Sequence, residues 1–143
     1  MSPKQGVRTA RCNDDDARLR LRHADSFLIV ADLVLEQPDD PLLTLTGVAA
    51  SLAVLAGIAA SDAACCAKLG AHARGQDHDQ AIVLLRTVVP GGEAMARDLE
   101  RLLGLKDDAH YGMLVLPMRR ARSAVGWARR LVAAARKAAA TGG

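Results

Sequence analysis

LAGIAASDAACCAKLG (Leu55–Gly70), followed by AHARGQD (Ala71–Asp77) and HDQAIVLL (His78–Leu85), is the stretch on which the reading of this chain turns. Its first part is dominated by alanine, the strongest helix former, and ends at Gly70, the residue best suited to a left-handed C-cap. A helix this small in side-chain volume and apolar nearly all round is stable in water only when other helices surround it closely. The polar loop that follows leads to Asp77, a suitable N-cap, which sets His78 in the first turn of the next helix. One helix end, one short loop and one helix start thus bring Arg74 and His78 close together.

Working outward, the same helical signal recurs. Asn13 is an N-cap, and Asp14, Asp15 and Asp16 behind it suit the positive end of a helix dipole. Ala17, Leu21, Ala24, Leu28, Ala31 and Leu35 repeat at three–four spacing and form one seam. Phe27, Val30 and Val34 widen it, while Ile29 and Leu33 fall on another side. This half of the helix therefore either lies deep in a bundle or also buries against a second subunit. Pro38-Asp39-Asp40-Pro41 breaks the chain, and the second helix runs from about Thr44 or Thr46 to Leu69. The third covers about His78 to Val89, and Pro90-Gly91-Gly92 is a turn. The fourth spans about Glu93 to Leu103 and continues irregularly past Gly104 to Tyr111. The fifth runs from about Pro117, a favourable start, to Ala139. No strand pair is indicated. The expectation is an all-α antiparallel bundle of four or five helices over residues 14–139, with flexible tails at 1–13 and 140–143.

A chain of 143 residues fits one domain. Met1 to Asn13 carries Lys4, Arg8 and Arg11 without an apolar core, which reads as a frayed tail and not a signal peptide. Cys65 and Cys66 are adjacent and point in different directions, so the three cysteines read as reduced thiols of a cytoplasmic protein. Cys65, Cys66 and His72 make a poor zinc pattern, and no metal site is expected. Leu42 to Ser61 is uncharged and of membrane-spanning length, but Ala, Gly, Ser and Thr outnumber its large aliphatic residues. It reads as the central helix of a soluble bundle, with no membrane partner.

The formal charge is +3 and the pI about 9.0. Much of the basic character lies in the fifth helix, where Arg119, Arg122, Arg129, Arg130 and Arg136 share about a third of the circumference. Such a stripe either tracks phosphates or is a solvated face. With no aromatics between the arginines, base stacking there is not expected.

The order of a long amphipathic helix, the AGIAASDAACCAKLG helix, the loop and helix RGQDHDQAIVLL, and LLGLKDDAHYG before a basic final helix resembles the HEPN superfamily. The likeness spans about Asp14 to Lys137, and Lys106, Ala109 and Tyr111 supply its K-x-x-A-x-Y element. The resemblance implies an antiparallel helical bundle that dimerises. It also implies either a metal-independent ribonuclease of a toxin–antitoxin or defence system, with a site shared across the dimer and no cofactor, or a catalytically silent module. Such a module would bind a partner protein, a nucleotide or a nucleic acid. The family motif is an arginine, four to six residues, then a histidine; the nearest match is Arg74 and His78, with three residues between. Those two are the candidate catalytic residues. Asp62, Asp77 and Tyr111 are candidates for the surrounding cleft, although Asp62 reads first as a structural partner of a buried group and Tyr111 would equally bury its ring. RNA and a cognate antitoxin are the partners this reading implies.

Overall fold

Asn13 starts the first helix, as the acidic turn behind it requires. In the computed structural model, which describes residues 8–74 and 78–141, Asn13 Oδ1 accepts from Asp16 N at 2.9 Å and Asp16 Oδ2 accepts from Asn13 N at 2.9 Å. This reciprocal cap opens α1 (Asp14–Leu35), whose Ala17, Ala24, Leu28 and Ala31 are buried. Ile29 and Leu33 remain exposed at 59% and 51%, so the surplus apolarity of α1 lies on the surface of the single chain and not deep within it.

The central element is α2 (Leu45–Leu69). It packs against α1, α4 (Gly92–Tyr111) and α5 (Met118–Ala140), and at its end meets the short α3 (His78–Arg86). Pairings along its length fix the directions. Asp62 meets Arg20, and Gly47 lies beside Ala109, so α1 and α4 run antiparallel to it. Thr46 Oγ1 donates to Leu116 O and Lys68 Nζ to Thr141 Oγ1, so α5 runs parallel. A Cβ placed on Gly57 would come within 2.5 Å of Leu102 Cδ1, which is why the helices close up here around a residue without a side chain. Gly70 caps α2 at φ +68°, in the left-handed region. By length and composition α2 is apolar enough to cross a membrane, but 67% of its most apolar 18-residue window is buried inside the protein.

The chain is an all-α bundle, and it departs from the sequence expectations at five places. The segment before Asn13 is not a frayed tail over its described part. Thr9–Arg11 forms β1, which pairs antiparallel with β2 (Ala71–Ala73) in the register Thr9↔Ala73, Ala10↔His72, Arg11↔Ala71. Three residues of weak strand propensity pair because the start of α1 and the end of α2 hold both segments side by side.

Cys66 is not a free thiol. It is disulfide-bonded to Cys12, with the two Cα atoms 5.3 Å apart, while buried Cys65 is free. The neighbouring cysteines do point apart, and for that reason one meets the core and the other the N-terminal segment. The fourth helix runs unbroken through Gly104 to Tyr111, and α3 stops at Arg86. At the other end, α5 includes Ala140, and Thr141 Oγ1 donates to Ala138 O.

Candidate functional site

The C-terminal end of α2, the β1–β2 ribbon and the start of α3 enclose a cleft of about 380 Å³. Ile58 and Asp62 line it from α2, Ala10 from β1, His72 and Ala73 from β2, and His78 and Ala81 from α3; Arg74 lies just past β2. Arg74 and His78, adjacent in the sequence reading, therefore share one cavity. The backbone sets Arg74 there directly. Its N–H donates to Arg8 O at 2.8 Å, which prolongs the ribbon by one residue and leaves the guanidinium exposed at the mouth.

Asp62 is the charged residue at the back of this cleft. Arg20 approaches its Oδ2 with Nε at 3.1 Å and Nη2 at 3.0 Å. His72 Nδ1 stands 4.0 Å from Oδ1. Burial pushes the carboxyl above its ordinary range, and Arg20, His72 and His78 pull it back in part. The aspartate thus both pairs structurally and faces the cleft, joining two roles that the sequence left as alternatives. Arg20 is itself braced by His23, whose Nδ1 lies 2.9 Å from Nη1.

His72 is the functional candidate that sequence reasoning missed. A search for ligand spacing among the histidines passes over it, because its relation to Asp62 and His78 arises only when the chain turns at Gly70. One signal was available: in an extended segment residues 72 and 74 fall on the same face. His72 Nδ1 lies 2.9 Å from Ala73 O. A carbonyl only accepts, so the neutral ring carries its proton on Nδ1 and leaves the Nε2 lone pair as its basic nitrogen.

The remaining candidates lie elsewhere. Asp77 falls outside the described residues. Tyr111 is 74% exposed at the far end of α4, edge-on to His110 with ring centroids 5.6 Å apart. Its neighbour Ala109 packs beside Gly47, fifteen residues before Asp62 on α2, or about 22 Å along the helix. It does not belong to the cleft, because α4 runs antiparallel to α2 and its last turn lies at the other end of the bundle.

The arginine stripe of α5 is largely neutralised. Arg129 binds Asp32 at 2.7 Å, Arg130 binds Asp98 at 2.7 Å, and Arg136 binds Asp25. Arg119 and Arg122 remain exposed on the same helix. The periodicity of the stripe was legible, but the carboxylates of α1 and α4 that fall opposite it were not.

In chemical terms the cleft holds two imidazoles able to transfer protons, a guanidinium able to bind a phosphate, and a carboxyl group held by Arg20 with His72 4.0 Å away. No protein-family model matches this chain, and no curated protein sequence matches it.

Proposed function

We propose that this protein is a HEPN-like, metal-independent ribonuclease, acting in the cytoplasm as the toxin or effector of a defence pair. The observation that carries the reading is the shared cleft of Asp62, His72, Arg74 and His78. RNA cleavage by side chains alone needs a base at the ribose 2′-OH and an acid at the leaving 5′-oxygen. One imidazole takes the 2′-OH proton as that oxygen attacks phosphorus. The P–O5′ bond breaks, and the other histidine, as imidazolium, protonates the departing oxygen to leave a 2′,3′-cyclic phosphate. Arg74 offsets the charge that grows on the non-bridging oxygens. After each cleavage the base gives its proton to water and the acid takes one up from water, and Asp62, 4.0 Å from His72, sets a carboxyl beside the ring.

A second copy of the chain completes the reading. Val48, Leu52, Leu55 and Ile58 recur at three–four spacing along one side of α2, with Val48 43% and Leu55 38% exposed and Leu52 and Ile58 partly buried against the core. This line leads to Ile58 and Asp62 at the cleft, so a dimer seated on it draws two clefts towards one substrate. The α5 stripe lends less support to phosphate tracking, since three of its arginines are held by carboxylates.

The test is cleavage of a mixed single-stranded and structured RNA pool in EDTA. Wild-type protein is expected to cut, and His78→Ala to be slower by about 10²–10⁴-fold while remaining helical. Equal silence from both, with a dimer present, would overturn the ribonuclease reading in favour of a binding or adaptor module.

A further inference from the structure

The ribbon that carries His72 is short, and what latches it is covalent. Residues 8–12 form a strap across the cleft. At one end Arg8 N donates to Gln80 Oε1 of α3 at 2.9 Å, and at the other Cys12 N donates to Gly70 O at 3.0 Å. Between them lie the three residue pairs of the β1–β2 ladder. A two-stranded ribbon of this length is marginal in water without further support. Here the support is the Cys12–Cys66 disulfide, which ties the strap to α2 one turn beyond Asp62.

We propose that the Cys12–Cys66 disulfide is a redox latch: when it is oxidised, β1 holds β2 in register and His72 and Arg74 in the cleft, and its reduction releases the strap and disorders both residues.

The latch is open to attack. A second cleft of about 390 Å³, sharing Asp62 and His72 with the first, is lined by both cysteines. Cys12 is half-buried, while Cys66 is 3% exposed. A dithiol reductant therefore attacks Cys12 Sγ through its thiolate. The S–S bond breaks, a mixed disulfide forms on Cys12, and Cys66 Sγ leaves as a thiolate that takes up a proton. The second thiol of the reductant then attacks its own sulfur in the mixed disulfide, freeing Cys12 as a thiol and leaving the reductant as a cyclic disulfide. Two electrons pass to the protein.

Cys65 does not compete in this exchange, because burial first, and the nearby Asp62 charge second, push its thiol up to about 12, leaving it protonated. Disulfides that survive in a reducing compartment are commonly of this switching kind.

The effect on RNA cleavage rests on the ribonuclease reading, whereas the coupling of the disulfide to β2 does not. The experiment is hydrogen exchange of the full-length protein, air-oxidised against dithiothreitol-reduced, with Cys12→Ser as the variant locked open. Reduction is expected to speed exchange at residues 9–12 and 71–74 by about tenfold or more, with α4 and α5 unchanged and the variant behaving as reduced without reductant. RNA cleavage is expected to fall in step. Equal exchange at 71–74 in both states, or free thiols at Cys12 and Cys66 in the air-oxidised protein, would overturn the latch. A redox-dependent β2 in a protein that cuts no RNA in either state would sustain the latch and sink the ribonuclease reading.

Discussion

At the scale of single residues, Asp62 concentrates the physics of the cleft. Its carboxyl is raised above the ordinary 3.8, chiefly by burial, despite Arg20, His72 and His78. The folded protein therefore binds this proton more tightly than the unfolded chain does. The resulting stabilisation is complete below 3.8 and is lost as pH rises through the folded value. Wild-type protein should accordingly gain stability relative to Asp62→Asn as pH falls through that window, read as the difference between their urea midpoints. Parallel curves for the two proteins would contradict the assignment of burial as the dominant effect. The sequence showed Asp62 as a polar interruption of an apolar helix. It did not show whether water or an arginine would meet it, since Arg20 lies 42 positions away. Likewise Arg74 and His78 were legible from one loop, whereas His72 became visible only through what faces it.

At the scale of elements, packing around α2 is decided by side-chain volume. Gly57 faces Leu102, which is fully buried and has little room to yield. Gly57→Val should destabilise by about 1–3 kcal/mol, seen as a lower denaturant midpoint with little change in slope. Gly104 provides the contrast. A Cβ there meets nothing within 4 Å, and Gly104→Ala in the same assay should stabilise by about 0.5–1 kcal/mol through helix propensity alone. The reverse ranking of the two would mean that the helices do not close at Gly57. The helices themselves were legible because each carries its own period, cap and breaker. The ribbon was not, because Thr9–Arg11 and Ala71–Ala73 have no strand pattern of their own and pair only through the elements that flank them and the Cys12–Cys66 disulfide.

At the scale of the whole molecule, the partly exposed apolar line on α2 makes a prediction about assembly. Leu55→Asp sets a charge on a side chain that is 38% exposed in the single chain. The wild type should sediment as a dimer and the variant as a monomer with unchanged helical circular dichroism, and a variant dimer would put the seam elsewhere. The sequence by itself determined the bundle. Helix periodicity, the Asn13 and Gly70 caps and the proline breaks are local signals, and alanine along one helix dictates that others approach it closely. Only the tertiary structure decided the cleft, the pairing of Cys12 with Cys66 across 54 residues, and the neutralisation of the α5 stripe. Each of these joins residues on different elements. Which face of one helix meets which residue of another depends on packing, and packing is a property of the whole chain that no single stretch contains.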